Sequence, residues 1–388
     1  MEPVRFIRPR EISSKKPVRI VLVGGFLGAG KTTALMTLAR RFQNQGLSVA
    51  VITNDQAPNL VDTAVVRAGS LPTAEVAGGC FCCRFTDLLD AVESVLPQQP
   101  DVLLCEPVGS CTDMVATVLH PLRRFYPALF SFTPFTVLVD PTRVRQILLK
   151  EQGEPFLEEV AYIFEKQLEE ADLIALTKTD QLEESEAVRL VSALYARFGK
   201  PVLRISSEDG DGLDTWESQL LGAPSQSPQA LRELNYDTYA KGEAVLGWLN
   251  ATATVHSTED FDTRSFLLSL IEGIQEGCAT AHQEIAHLKL ALAEGDSVSH
   301  AHVTRSDEPA SVSLASTTAA RLTRLTVNAR IQADPGKLGG LIVSTLQQTA
   351  ARFPVVIEID TLQSFSPAYP RPPYRMTDSG EKQDSSDV

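Results

Sequence analysis

No apolar run in this 388-residue chain approaches the roughly 20 residues that would cross a bilayer, and the N-terminus lacks the hydrophobic stretch of a secretory signal. Neither a membrane span nor export is expected. Cysteine is sparse, at six residues, which argues against a fold built on disulfides and for a reducing cytosol. Surplus basic charge is also missing. Thirty-five Lys and Arg face 49 Asp and Glu, a net charge of −14, which opposes general nucleic-acid binding. Nor is there an arginine-rich segment of the kind a small-molecule phosphotransferase closes over phosphates.

What the chain does have is the run Gly25 to Thr32, GFLGAGKT, which fits the phosphate-binding loop pattern G-x-x-x-x-G-K-[ST]. The β-branched run Val18 to Val23 before it reads as a buried parallel strand, and Thr33 to Arg40 after it as a helix. In that context Gly25, Gly28, Ala29 and Gly30 let backbone N–H groups curl around phosphates at a helix N-terminus. Lys31 is expected to reach the β- and γ-phosphates, the Thr32 hydroxyl to ligate Mg²⁺, and Thr33 to complete the loop's contacts.

Later strands supply the rest of a nucleotide site. Asp101 to Cys105 delivers Glu106-Pro107-Val108-Gly109, where Glu106 can hold the Mg²⁺ shell or orient water and Gly109 can approach a γ-phosphate. The strand Ser48 to Thr53 ends in Asn54-Asp55, which makes Asp55 a candidate for the Mg²⁺ shell. Ala171 to Leu176 runs into Thr177-Lys178-Thr179-Asp180, the guanine motif N-K-x-D with Thr in place of Asn. Asp180 can accept from both donors on the guanine edge, an arrangement adenine cannot match, while the Lys178 stem covers the base. Pro201 to Ile205 then ends in Ser206-Ser207, where a loop is expected to touch the guanine oxygen.

The second signature is Gly78-Gly79-Cys80-Phe81-Cys82-Cys83, which places three cysteines within four residues. Thiolates so close behind a Gly-Gly pair can converge on one cation such as Zn²⁺. Cys80, Cys82 and Cys83 supply at most three sulfurs, so a fourth ligand must come from elsewhere or from a partner. Buried packing and a redox pair are the competing readings. Cys105 and Cys278 read as packing residues, whereas Cys111, just past Gly109, is a candidate to approach the metal site.

Taken in order, Val23–Thr33 (VGGFLGAGKTT), Gly78–Cys83 (GGCFCC), Glu106–Gly109 and Thr177–Asp180 resemble the CobW-type metallochaperone GTPases, relatives of the urease and hydrogenase nickel-insertion GTPases. The resemblance covers roughly the first 210 residues. It implies a cytoplasmic enzyme that hydrolyses GTP and couples hydrolysis to binding Zn²⁺ or Co²⁺ and delivering it to a client metalloprotein or cofactor-assembly protein. A homodimer is a candidate assembly. It carries over to Lys31, Thr32, Glu106, Lys178, Asp180 and the three clustered cysteines. The alternative is a P-loop NTPase that activates a corrinoid or other cofactor enzyme, with the cysteines structural. Departures are Asn54-Asp55-Gln56-Ala57, where the family usually has Asn-Glu-aromatic-Gly, and Thr177. In place of a histidine-rich stretch there is only His300-Ala301-His302.

Length and 43% hydrophobic content accommodate two cores. The expected organisation is a loose arm at 1–16, an α/β P-loop domain with a mostly parallel sheet at 17–221, and a linker at 222–240 signalled by GAPSQSPQ. A small ferredoxin-like α+β domain follows at 241–363, with strands at 243–255, 284–292, 322–331 and 354–362 and helices at 261–273 and 335–350. The polar 295–309 segment is expected to be a mobile loop, and 364–388 to be disordered.

The guanine reading is tested at one atom. Asp180→Asn is expected to weaken GTP and improve xanthosine triphosphate binding, because the base's donor pair then meets the wrong partner. Equal affinity of the unmodified protein for ATP and GTP, measured by nucleotide titration, would sink it.

Overall fold

The computed structural model describes residues 10–54, 71–151, 156–222, 229–295, 297–319 and 321–377. These divide into two compact units, one formed by residues up to 239 together with 369–377, the other by 240–368.

The first unit is built on parallel strands β1 (Val18–Gly25), β2 (Val49–Asn54), β3 (Thr73–Val76), β4 (Val102–Glu106), β5 (Phe130–Phe132), β6 (Thr136–Val139), β7 (Leu173–Leu176) and β8 (Val202–Arg204). They lie in the order β3-β2-β4-β1-β6-β7-β8, with β5 pairing the first residues of β1 and β6 its last ones. Strands β2, β4, β6 and β7 are buried along their whole length. That follows from their apolar sequences, because a parallel sheet is covered by crossover helices on both faces. The short TVLV run of β6 had no place in the sequence reading, yet it sits in the middle of the sheet. In a parallel sheet all strand carboxyl ends share one edge, so the phosphate loop, Asn54, Glu106, Asp140, Thr177 and Ser206 arrive there together.

The second unit has an antiparallel sheet of β9 (Gly247–Ser257), β11 (Ile285–Glu294), β12 (Ser297–Val303), β13 (Ser311–Ser313), β15 (Leu322–Ile331) and β16 (Val355–Phe365), in the order β13-β12-β11-β15-β9-β16. Strands β10 (Phe261–Asp262) and β14 (Thr318–Ala319) form a separate short pair. Taking β9, β11, β15 and β16 as the first to fourth strands gives the order 4-1-3-2, the ferredoxin-like arrangement, widened at one edge by β12 and β13. Helices Thr263–Thr280 and Pro335–Ala350 bury their apolar sides in one core with this sheet. Both begin at an Asp that accepts first-turn N–H groups, Asp262 from Ser265 and Asp334 from Gly336 and Lys337.

Several expectations need correction. The segment 295–309 is not simply a loop, because β12 pairs with β11 from Leu288↔Val303 to Glu294↔Ser297 and thereby puts His300 and His302 on a strand. The strand expected from Glu243 starts at Gly247, since Tyr236–Val245 is helical. That helix also takes up the end of the expected linker. Within the N-terminal arm, residues 10–16 are tied down. Arg10 pairs with Asp90 at 2.5 Å, Lys16 with Asp101, and Ile12 is buried.

The largest difference lies at the other end, where residues 364–377 are ordered. Polar and proline-rich composition concealed specific anchors. The Tyr374 ring packs edge-on between Phe85 and Phe125, with centroids 5.3 and 5.1 Å away. Met376 N–H donates to the Ala116 carbonyl at 2.8 Å. Arg375 donates through Nε to the buried carboxylate of Asp113 at 2.7 Å, where the Tyr236 hydroxyl donates as well. Asp113 holds a left-handed φ of 67°. Residues 378–388 lie outside the described residues.

Removing the cation from this pair leaves a buried carboxylate behind. Arg375→Ala is expected to cost about 3–5 kcal/mol and to release the C-terminal segment. Urea unfolding and limited proteolysis of the full chain measure both, and an unchanged midpoint with unchanged cleavage would contradict it.

Candidate nucleotide and metal site

The phosphate loop owes its path to backbone that side chains would block. Gly25 has φ 136°, and a Cβ there would lie 2.4 Å from the Leu138 carbonyl oxygen. Gly30, at φ 84°, begins the helix Lys31–Asn44 with no side-chain cap of its own. Buried Lys31 donates to the carbonyls of Gly25 at 2.9 Å and Phe26 at 3.3 Å, which sets its ammonium inside the loop. Thr33 is exposed.

Two strand ends close on this loop. The Thr32 hydroxyl donates to Glu106 Oε1 at 2.9 Å, and both side chains are buried. Gly109 comes so near the loop that a Cβ would sit 2.7 Å from Leu27 Cδ2. On the other side the Thr177 hydroxyl lies 3.1 Å from the Ala29 carbonyl oxygen and 3.2 Å from that of Val139. The hydroxyl that replaces the usual Asn amide therefore still braces the base-side strand end against the phosphate loop.

Base-side residues divide in role. Asp180 is exposed in the turn Thr179–Gln181. Lys178, at φ 55°, pairs with buried Asp140 at 2.6 Å. Burial alone would raise the Asp140 carboxyl, but the Lys178 ammonium, with Arg143 and the Thr142 N–H, outweighs it and holds the group below the ordinary carboxylate range. Asp140 follows the overlooked β6, so sequence reading gave no hint that it positions Lys178. Ser206 is fully buried, and its hydroxyl oxygen accepts from the N–H groups of Glu208 and Asp209. It shapes the loop that was expected to touch the base. Asp55 lies outside the described residues.

The cysteine loop is held by a residue the sequence reading passed over. Asn54, at the end of β2, donates through Nδ2 to the carbonyls of Val76 at 2.9 Å and Gly79 at 2.7 Å, and its Oδ1 accepts from Phe81 N–H at 2.8 Å. Behind this clamp the sulfurs of Cys80, Cys82 and Cys111 lie within 4.8 Å of one another, all buried. Cys80 and Cys82 are 2.6 Å apart. Cys83 is partly exposed at the rim, 3.7 Å from Cys82, and its sulfur accepts the Arg371 N–H at 3.2 Å. The expected trio is thus modified: Cys111 joins the buried cluster, and Cys83 stands beside it.

The protons in this cluster are shared unequally. Hydrogen bonds from Cys111, Cys82 and Cys83 hold the Cys80 thiol well below its ordinary value. Hydrogen bonding with Cys111 and Cys80, reinforced by burial, pushes Cys82 well above it. Cys83, bonded to the Cys80 sulfur, is pushed up to about 12. A zinc ion with Zn–S bonds of about 2.3 Å separates tetrahedral sulfurs by about 3.8 Å. Cys82 and Cys83, 3.7 Å apart, match that spacing, whereas Cys80 and Cys82, at 2.6 Å, must separate to share one ion; the soft donor set suits it. Cys105 is buried in β4 and Cys278 in the second unit's core; neither belongs to the cluster.

Residues 19–200 match the family described as CobW/HypB/UreG, nucleotide-binding domain. The chain is 26% identical over 234 residues to the zinc chaperone CobW of Pseudomonas aeruginosa and 28% identical over 199 residues to the zinc chaperone YjiA of Escherichia coli. These alignments cover 52% and 50% of this chain and 59% of each relative, so the chain spans little more than half of either relative's length. A solved structure of Zn(II)-bound YjiA GTPase from E. coli is 17% identical over 85% of this chain and 99% of that one, at a TM-score of 0.35.

Asn54→Ala would strip partners from one N–H and two carbonyls. The expected cost is about 1–3 kcal/mol. Thermal unfolding measures it, and alkylation of Cys80 and Cys82, followed by mass spectrometry, should run faster than in the unmodified protein. Unchanged alkylation would show that the clamp does not hold the loop.

Proposed function

We propose that this chain, whose residues 19–200 carry a nucleotide-binding domain of the CobW/HypB/UreG family, is a cytosolic GTP-hydrolysing metallochaperone. Its cargo is Zn²⁺, with Co²⁺ as the other ion this thiol-rich donor set suits. It hands the ion to a client metalloprotein or cofactor-assembly protein. The zinc-chaperone names of its relatives support the cargo, and Asp180, with Lys178 positioned by Asp140, supports guanine as the base.

In this reading the loop from Gly25 to Thr33 wraps the phosphates and Lys31 neutralises charge that builds on the γ-phosphate during transfer. Thr32 and Glu106 would hold Mg²⁺, with Asp55 a further candidate for its shell. Glu106 also orients the attacking water, and the Gly109 N–H approaches the γ-phosphate. Cys80, Cys82 and Cys83 hold the cargo.

One observation carries the coupling of nucleotide and metal. Asn54 ends a strand that runs parallel to β4, with Thr53 in register with Glu106, and the same Asn54 side chain clamps the cysteine loop at three points. Rearrangement of these strand ends on γ-phosphate loss is transmitted to the thiols.

Zinc affinity, measured by competition with a chelating dye, is therefore expected to differ at least about fivefold between the GTP-analogue and GDP states. By linkage, zinc must shift the preference for GTP over GDP by the same factor. Replacing Cys80, Cys82 and Cys83 by Ser should abolish tight zinc binding, and Lys31→Ala should reduce both nucleotide affinity and turnover. Indistinguishable zinc affinities in the two states would refute a GTP-gated carrier.

A further inference from the structure

The motif Cys-x-Cys-Cys leaves a tetrahedral ion one sulfur short. The structure supplies a sulfur from a different part of the chain. Cys111 is buried and its sulfur stands within 4.8 Å of those of Cys80 and Cys82. Cys83, the remaining member of the motif, is already 3.7 Å from Cys82, close to the spacing of about 3.8 Å that zinc imposes. We infer that Cys111 is the fourth metal ligand, so that the carried ion sits among Cys80, Cys82, Cys83 and Cys111. This rests on the metal-carrying reading above and adds to it the ligand that reports on the nucleotide.

Cys111 belongs to the loop that leaves β4 at Glu106. That loop begins with the Glu106 contact to Thr32. It then passes Gly109, pressed against Leu27 of the phosphate loop. The Gln167 side-chain amide donates to the carbonyls of both Gly109 at 3.0 Å and Cys111 at 2.8 Å, and Cys111 N–H donates to the Val108 carbonyl at 2.9 Å. Residues 106–111 are thus braced as one piece, with the phosphate loop at one end and a metal-facing sulfur at the other. A shift of Glu106 and Gly109 moves the Cys111 sulfur.

The consequence for cargo release is specific. Four thiolates make a closed zinc site of the kind proteins use for retention, whereas three leave a coordination position open. Withdrawal of Cys111 with its loop converts the first into the second, and a donor from the client can occupy the vacated position. The other three ligands come from a separate loop, the one clamped by Asn54. Charge balances in the binding step, since the thiol protons displaced by Zn²⁺ pass to solvent.

The test counts protected thiols in the full chain under reducing conditions. Iodoacetamide alkylation with and without one equivalent of Zn²⁺, in the presence of a GTP analogue and read by mass spectrometry, is expected to show protection at Cys80, Cys82, Cys83 and Cys111. Zinc affinity of Cys111→Ser is expected to fall at least about tenfold, with the thermal transition reporting that the variant is folded. Cys278→Ser, in the other unit's core, serves as the comparison. Protection of Cys80, Cys82 and Cys83 alone, with unchanged affinity in Cys111→Ser, would overturn the inference and leave metal carriage standing. No zinc protection at any of the four would overturn both. The wild-type protection pattern decides the matter even if the variant fails to fold.

Discussion

A buried hydrogen bond between the Thr32 hydroxyl and the Glu106 carboxylate is the contact on which the first unit's chemistry depends. A carboxylate taken out of water needs partners, and this one finds a partner in the residue that follows the phosphate-loop lysine. The bond ties the end of β4 to the start of the helix that follows the loop. It thereby registers two segments far apart in sequence at the place where a phosphate and its Mg²⁺ would lie. From that point the chain continues past Gly109 to Cys111, while the neighbouring strand β2 ends in Asn54. The nucleotide edge and the cysteine cluster therefore share their supports.

The C-terminal segment adds a second restraint to the same cluster. Asp113 lies two residues beyond Cys111 and would be costly to bury alone. Burial raises its carboxyl, and the Arg375 guanidinium opposes that rise. Glu170 is buried nearby, and burial together with the charge on Asp113 pushes it well above the ordinary range, toward the neutral acid. Because Arg375 and Tyr374 anchor residues 371–376, the Arg371 N–H is held against the Cys83 sulfur. Cys83 is consequently the cluster's outer member, in contact with a segment that comes from the far end of the chain.

Much of the nucleotide edge was legible because its chemistry is local. The phosphate loop, Glu106 and the Thr177–Asp180 turn each announce themselves by a strand followed by a short polar motif, and the parallel topology gathers them without further information. The contacts that escaped reading are long-range. Asp140 follows a four-residue strand too short to show a period, so its pairing with Lys178 had no signal. Asn54 looked like one polar residue among several at a strand end, and only the fold brings Gly79 and Phe81 to it. Cys111 was visible as a candidate because it follows Gly109 closely. The C-terminal anchors were hidden because proline and charge set the composition, while a single tyrosine and a single arginine set the packing. In the second unit, polarity at 295–309 disguised β12, whose alternating small and polar residues pair along the β11 edge.

The unequal sharing of protons explains why such a cluster can wait for a cation. Several thiolates within 4.8 Å in a buried site would repel one another strongly if all were ionised. Hydrogen bonding by the neighbouring thiols holds Cys80 well below its ordinary value and pushes Cys82 and Cys83 up. A divalent cation held by these sulfurs would displace the thiol protons, so its affinity would rise with pH.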